Sequence, residues 1–437
     1  MKRMLRKAAI LLLWLLLLGG CQANLRDDDD LRGRITLWHS WPSTDAIVLE
    51  ETLAQFQEIH PDVRIITVAM PQDQILEEFI NTGTNGLGPD LVIGADDWIK
   101  DLANSGLIRT VSSDDISPAL LSSRDLALTQ YQGQHYGIPL SLAPRSLYYN
   151  KRLVAQPPGT LDELLQEAAA GNRIAFVPRF EEAYWGIQAF GQGLFDAEGQ
   201  FKVADSGFEE WLNWLDVAQN ASGVILNVDD DSLLELFISQ QIAYYVAGPQ
   251  KQTRLSTMIP EGNPFEFGVV PLPGGPNGPA GPVLSAETIF LYAFTSPEQS
   301  RTADALAAFL VNQQQSIRFM RELNRVPANP AVRVDGRIYP IVNGFAQQAR
   351  TAVIIPNEIP SEVLISAGNL VYVSVLSGAL TPVEAVCQFG QNVSAALGYS
   401  ASDTSLPNGC EVPANDQSQK NASEMLATDK GEDNGHN

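Results

Sequence analysis

The sequence predicts an α/β protein built from two lobes. Its 437 residues exceed what one compact core accommodates, which favours more than one lobe. Hydrophobic residues make up 45% and charged residues 18%, a balance typical of a globular chain. Over residues 34–106, strand-like alternation and helical spacing follow each other in the order β-α-β-α-β-α. This order favours a parallel sheet covered by helices.

The first twenty residues predict a signal peptide. Four basic residues open the chain, and an apolar run follows at 8–18. This run is shorter than the roughly 20 apolar residues that span a bilayer, and it has the size of a signal-peptide core. The letters LGGC at 18–21 resemble the lipobox of bacterial lipoproteins, in which the cysteine is acylated and becomes the first mature residue. We expect Cys21 to carry a lipid anchor; a signal peptide cut elsewhere is the alternative.

An acidic tether is expected at residues 21–33, which include four consecutive aspartates at 27–30. Like charges keep such a segment extended, and twelve residues reach at most about 40 Å. The formal net charge is −23, and it becomes −27 without the four basic residues of the signal peptide. Such a surface repels nucleic acid and anionic lipid, so we expect neither as a partner.

The remaining elements follow from periodicity and from turn residues. Strands are predicted at 34–38, 63–68, 91–93, 136–140, 146–149, 174–177 and 288–292. Helices are predicted at 46–59, 74–80, 98–105, 161–170, 208–219, 232–238 and 297–312, with a helical pattern over 301–320 and a helical hairpin at 361–397. The Pro- and Gly-rich stretch 271–282 is predicted to be a loop, and residues 400–437 a polar tail. Cys387 and Cys410 remain for a disulfide in an oxidising compartment.

Several short motifs in one order resemble a known family over residues 34–397. They are ITLW at 35–38, HPDV at 60–63, GPDLV at 88–92, ANSGLI at 103–108, YQGQHYGIP at 131–139, SLYYNK at 146–151, AGP at 247–249 and the helix at 369–376. Together they resemble the maltose-binding-protein type of extracellular solute-binding protein, the binding component of ABC sugar importers.

The resemblance implies two lobes with a hinge and a cleft between them, a periplasmic-binding-protein fold. Lobe one takes residues 34–141 and 286–325, and lobe two takes 142–282 and 326–399. The chain crosses between them at 142–144, 283–285 and 324–326.

The resemblance also implies a function. The protein is expected to hold a mono- or oligosaccharide and present it to the permease subunits of an ABC importer. We expect a monomer without enzyme activity or cofactor, anchored by its lipid in the cell envelope and facing the periplasm or the exterior.

Candidate ligand-binding residues follow the predicted strands, because open α/β sheets bind ligands beyond the carboxyl ends of their strands. A sugar requires polar partners for its hydroxyls and aromatic faces for its C–H groups. Trp38 and Trp41 follow the first strand; Trp41 is favoured for stacking, and core packing of both is the alternative. Asp96, Asp97 and Trp98 follow the third strand. One aspartate is expected to cap the helix and the other to bind ligand, and the resemblance places Asp97 and Trp98 on contacting positions.

The resemblance adds five candidates from the other matching loops: Arg145, Glu182, Tyr184, Gln250 and Glu287. Three departures from the maltose type accompany them. Gly94 stands where maltose binders carry an aromatic residue, Arg145 falls at a sugar-binding glutamate, and Gln250 replaces a stacking aromatic. Maltose itself as the ligand therefore does not follow.

Three other functions remain open. A secreted glycoside hydrolase would use paired carboxylates, but the adjacent acids at 96–97 and 181–182 point in different directions and predict no such pair. A non-sugar solute, such as a polyol, an amino acid derivative, a glycerol phosphate or ferric iron, is the second. The tyrosine pairs at 148–149 and 244–245 lie in strand patterns that favour core packing over iron binding, and the four histidines lack metal-ligand spacing. A sensor or scaffold role is the third.

Overall fold

The computed structural model describes residues 31–111, 121–196, 198–259, 265–398, 406–407 and 410. The expected signal peptide, Cys21, most of the tether and most of the tail lie outside the described residues. Within the described residues, each helix is too short or too polar to cross a bilayer.

Strands and helices are numbered here in chain order. The strands are β1 (Gly33–His39), β2 (Val63–Ala69), β3 (Leu91–Ala95), β4 (Gln130–Tyr131), β5 (Gln134–His135), β6 (Ile138–Leu142), β7 (Ser146–Asn150), β8 (Ile174–Phe176), β9 (Val224–Leu226), β10 (Tyr244–Ala247), β11 (Phe267–Val270), β12 (Ala286–Leu291) and β13 (Val326–Pro327). The helices are α1 (Ser43–Ile59), α2 (Gln72–Thr84), α3 (Ile99–Asn104), α4 (Ser123–Leu126), α5 (Leu161–Ala169), α6 (Phe180–Ala183), α7 (Ile187–Phe190), α8 (Phe208–Ala218), α9 (Asp230–Ile238), α10 (Lys251–Met258), α11 (Pro297–Leu310), α12 (Gln313–Leu323), α13 (Pro340–Ala349), α14 (Ser361–Leu376) and α15 (Pro382–Ala396). Single 3₁₀ turns lie at Asp96–Trp98, Ala127–Thr129, Tyr184–Gly186 and Val203–Asp205.

Two sheets organise the described chain into two lobes, as predicted. Lobe one contains a six-stranded sheet in the order β13-β6-β12-β3-β1-β2, and lobe two a five-stranded sheet in the order β11-β7-β10-β8-β9. In lobe one, β1 runs parallel to β2 and β3, whereas β12 is antiparallel to β3 and β6. One apolar cluster lies in each lobe, and a third, larger one joins both lobes.

Helix α1 shows how the sequence pattern becomes packing. Leu49, Leu53 and Phe56 recur at intervals of four and three residues and are buried, because this spacing puts them on one face. Ile47 and Ile59 also fit the predicted helical spacing, yet both are exposed at its two ends.

Two differences from the predicted boundaries have local causes. The helical pattern over 301–320 is divided into α11 and α12 because the Asn312 side chain accepts a hydrogen bond from the Gln315 backbone N–H and caps a new helix. Lobe one also continues beyond residue 325, since β13 pairs with Ser141 and Leu142 of β6.

A disulfide joins Cys387 of α15 to Cys410, with 5.5 Å between the two Cα atoms. Leu406 contacts α15 beside Gly390. The bond therefore ties a segment beyond α15 to lobe two.

Candidate functional site

A cleft of about 610 Å³ lies between the lobes. Its charged lining residues comprise five acids and five bases: Asp45, Asp96, Asp97, Glu181, Glu287, Lys100, Arg145, Lys251, Arg254 and Arg325. Residues from all three crossings, 142–143, 283–285 and 324–326, also line it. The cleft meets β1 and β3 of lobe one at their carboxyl ends, where the sequence predicted ligand-binding residues.

Trp41 lies in the cleft wall, but its ring face is occupied. The Arg325 guanidinium carbon lies 3.9 Å from the ring centroid, and the Phe319 ring contacts Trp41 edge-on. His39 Nδ1 accepts a hydrogen bond from the Trp41 backbone N–H, which fixes the turn after β1. Trp41 is 4% exposed, so its ring supports Arg325 and leaves little face open for a sugar.

Glu287 is the centre of a hydrogen-bonded network at the back of the cleft. Its carboxylate accepts hydrogen bonds from Trp41 Nε1, Ser141 Oγ and Arg325 Nη1. Arg325 also lies 3.4 Å from a carboxylate oxygen of Asp45. Arg325 thus joins two acids and one indole ring next to a crossing between the lobes.

Trp98 explains why Gly94 lacks a side chain. A Cβ at Gly94 would lie 2.0 Å from the Trp98 ring, which packs directly over the Gly94 backbone. The Trp98 ring also stacks on Phe290. The indole therefore fills the space next to Gly94, and Trp98 lines the cleft while remaining buried.

The two aspartates before Trp98 have different roles. Asp96 accepts a hydrogen bond across the sheet from the Ala286 backbone N–H at 3.1 Å, and no side-chain hydrogen bond caps the helical turn here. Burial raises the pKa of Asp96 to about 7. Asp97 is exposed in the cleft. Partial desolvation by the surrounding protein raises its pKa. Neither aspartate is therefore the predicted cap, and Asp97 is the one available to a ligand.

Lobe two contributes a mixed-charge wall. Arg145 lines the cleft and lies 3.4 Å from Glu182 of the same lobe. Glu181, rather than Glu182, lines the cleft. Partial desolvation and the neighbouring Glu182 raise the pKa of Glu181, and the charge of Asp97 from lobe one acts in the same direction.

Helix α10 begins at the cleft after β10. Gln250 lines the cleft and folds back on Gly248, where a Cβ would lie 2.2 Å from its amide oxygen. Lys251 forms an ion pair with Asp230 at 2.5 Å, and Arg254 pairs with Asp231. These two bases are therefore neutralised within lobe two.

Three predicted ligand-binding residues do not line the cleft, and the expectation for them is corrected: Glu182, which pairs with Arg145, and Tyr184 and Trp38. Tyr184 is 1% exposed; its ring packs against Phe180, and its hydroxyl oxygen accepts a hydrogen bond from the Leu194 N–H. The turn after α6 rotates Tyr184 into the lobe-two core. Trp38 is buried within the strand, in the same lobe-one apolar cluster as Phe79 and Trp98, and its ring packs into the core instead of lining the cleft.

The structure adds cleft residues that the sequence did not indicate. Arg325, Asp45 and Lys100 come from lobe one, and α14 contributes Ser361 and Leu364. Asp45 and Lys100 lie within four residues of the strand-end motifs that contain Trp41 and Trp98, whereas Arg325 and the α14 residues are distant in sequence, and only the fold associates them with the site.

Three of the four tyrosines in the two pairs are buried in the core, which argues against an iron site formed by these pairs. Tyr148, Tyr244 and Tyr245 are fully buried, and the Tyr148 hydroxyl donates to the Gly248 carbonyl. The described residues contain no group of three or more His, Cys, Asp or Glu side chains placed to hold a metal ion.

Two α/β lobes with a polar cleft between them define a solute-binding protein. The chain belongs to the bacterial extracellular solute-binding protein family, whose sequence profile matches residues 51–338. A member of an extracellular family acts at the cell envelope.

Individual relatives agree with this assignment. The maltotriose-binding protein of Pyrococcus abyssi is 25% identical over 353 residues, covering 74% of this chain and 73% of the relative. A maltooligosaccharide ABC transporter solute-binding lipoprotein of Streptococcus pneumoniae is 22% identical over 305 residues, covering 62% and 68%. The crystal structure of a cyclo/maltodextrin-binding protein with maltotetraose superposes with a TM-score of 0.73 at 21% identity, covering 85% of this chain and 98% of that one. The predicted two-lobed binding-protein fold is thereby confirmed.

Proposed function

We propose that this protein captures a mono- or oligosaccharide in its cleft and delivers it to an ABC-type membrane importer. The observation that carries the proposal is the pair formed by Asp97 of lobe one and Glu181 of lobe two. Both line the cleft, and neither forms an ion pair within the described part of the chain. Sugar hydroxyls donate well to such carboxylates.

Contacts from both lobes couple binding to closure. A ligand shifts the balance between open and closed forms only by its difference in affinity for the two. A shift from 1:99 to 99:1 requires about 5.5 kcal/mol, which two to three charge-assisted hydrogen bonds of roughly 1.5–3 kcal/mol supply. The ligand-binding set inferred here is Asp97, Trp98, Arg145, Glu181, Gln250, Glu287 and Arg325, with Trp41 supporting Arg325.

We place the hinge at the three crossings. The Ala143 N–H donates to the Ser285 carbonyl at 2.7 Å, so the first two crossings are hydrogen-bonded to each other. The third crossing, predicted at 324–326, lies after Pro327 instead, because Val326 and Pro327 still pair with β6 of lobe one. Such short segments absorb domain closure.

The names of the relatives support a maltooligosaccharide as the first ligand to test, and one of them is a lipoprotein. We infer that Cys21 carries the lipid anchor here as well. A Cys21→Ser variant should no longer be found in the membrane fraction, and it should still bind ligand.

A thermal-shift screen followed by calorimetry tests the sugar assignment. At a ligand concentration of 100 Kd the bound protein gains about 2.7 kcal/mol. The panel contains maltose, maltotriose, longer maltodextrins, other oligosaccharides, polyols and ferric ion. A shift with a sugar that is reduced by Asp97→Asn and Glu181→Gln, but not by the control Glu77→Gln on exposed α2, supports the proposal.

Two results would count against it. A shift with a polyol or iron but with no sugar would reassign the ligand class. New reducing ends after incubation with oligosaccharides would indicate a hydrolase.

A further inference from the structure

The lobe-one sheet has a second end, opposite the cleft. Strands β1, β2 and β3 begin there, and β12 ends there, since Leu291 pairs with Leu91. We call this the basal end. The seven residues of β1 place it about 20 Å from the cleft. The chain enters lobe one at the basal end, through Gly33.

Three large apolar side chains are exposed at the basal end. Ile59 ends α1, Leu87 precedes β3 and Phe294 follows β12, and they are 61%, 75% and 65% exposed. Tyr292 connects two of them: its ring contacts Phe294 and packs against the backbone of Gly88, next to Leu87. Six large hydrophobic residues of the described chain exceed 60% exposure, and these are three of them. Singly exposed apolar residues are ordinary, whereas three at one end indicate a contact surface.

The described surface of the basal end carries nearly balanced charge. Its exposed charged residues are four arginines and three acids: Arg32, Arg34, Arg64, Arg301, Glu58, Asp62 and Glu298. The full chain has a net charge of −23. The four aspartates of the tether, at 27–30, add negative charge next to this end, so the contact is expected with a zwitterionic phospholipid surface rather than an anionic one.

We propose that the basal end of lobe one rests on the phospholipid membrane, with Ile59, Leu87 and Phe294 inserted among the headgroups. The inference depends on the lipid anchor at Cys21 proposed above, because the chain enters lobe one at this end at Gly33, twelve residues after Cys21. Apolar side chains of surface-bound proteins enter the headgroup region by about 5–10 Å, and they add to the affinity of an acyl anchor.

This orientation has a functional consequence. With the basal end on the bilayer, the cleft points away from the membrane and is open to solute. Delivery to an importer then requires the body to leave this position and turn on its tether, which reaches at most about 40 Å.

Depth-dependent fluorescence quenching tests the orientation on the full-length, lipidated protein. Single cysteines replace Ile59, Leu87 or Phe294 and carry an environment-sensitive fluorophore. The three native cysteines do not compete, since Cys387 and Cys410 are bonded to each other and Cys21 carries the lipid in the lipidated protein. The protein is inserted into phosphatidylcholine vesicles that contain nitroxide-labelled phosphatidylcholine.

Matched controls come from the same fold. Ile47→Cys lies on the same helix as Ile59→Cys, about 18 Å closer to the cleft. Val373→Cys is equally exposed on lobe two. The proposal expects quenching at least about twofold stronger at the basal sites than at both controls. The quenching at Ile59→Cys should fall to the level of the control sites when Leu87→Ser and Phe294→Ser are introduced as well.

Two contrary outcomes are distinguishable. Vesicle-bound protein with equal quenching at all sites, or with the strongest quenching at Ile47→Cys, overturns the orientation and leaves the anchor intact. Failure of the wild-type chain to float with vesicles overturns the anchor, and the orientation with it. Neither outcome alters the thermal-shift response to sugar.

Discussion

Removal of the Arg325 guanidinium should destabilise the protein more than its partial exposure suggests. Arg325 pairs with Glu287, contacts Asp45 at 3.4 Å and covers Trp41 at 3.9 Å. The side chains of Arg325 and Glu287 are 18% and 20% exposed. Breaking a buried pair costs roughly 3–5 kcal/mol and breaking an exposed one about 0.2–1. We take about 2 kcal/mol for this mostly buried pair, and about 1 for the cation–π contact.

Arg325→Ala should therefore lower the free energy of unfolding by about 3 kcal/mol, measured by urea denaturation. A double-mutant cycle with Glu287→Ala isolates the pair and should give a coupling of about 2 kcal/mol. Arg337→Ala is the control, because Arg337 is 90% exposed and, among the described residues, its ion pair is with Asp335 two positions away. A coupling near zero, or a loss in Arg325→Ala no larger than in the control, would refute the assignment of this network as a stabilising element.

Three further predictions concern the cleft and the core beside it. Gly94→Ala should displace the Trp98 ring, lowering the unfolding free energy by about 1–3 kcal/mol and weakening ligand binding in calorimetry; unchanged values would contradict the packing described. Tyr184→Phe should leave the ligand affinity unchanged, because the hydroxyl is buried in lobe two; a large loss of affinity would return Tyr184 to the binding site. Asp96 has a pKa of about 7 in the folded protein, above its unfolded value, so its contribution to stability is full below about pH 4 and is lost as the pH rises through 7. Asp96→Asn should therefore raise the melting temperature more at pH 8 than at pH 4.5, and an equal change at both values would contradict the assigned pKa.

Much of the fold was predictable because it depends on local patterns. The alternation of β1, the spacing in α1 and the breaks at Gly and Pro indicated the first half of lobe one and the hairpin of α14 and α15. Short elements were missed. Helices α6 and α7 have four residues each, too few for a helical period to be distinguished from a turn.

The site was predicted in part where it follows strand ends, since the carboxyl ends of neighbouring parallel strands meet at one edge. Asp97 lines the cleft for this reason, whereas Arg145, before β7, and Glu287, at the amino end of antiparallel β12, were indicated by the family resemblance. The residue that each of them contacts was not predictable. Arg325 covers Trp41 from 284 positions along the chain, and Glu182 rather than a ligand engages Arg145.

The sequence by itself thus determined the family, the alternation of strands and helices, and the strand ends that carry polar residues. Only the tertiary structure decided which way each side chain faces. From one residue to the next, the direction of the side chain rotates by about 100° in a helix and reverses in a strand. Tyr184 and Trp38 turn into the core for this reason, while Glu181 reaches the cleft. Packing between segments distant in sequence sets that rotation, and no local pattern records it.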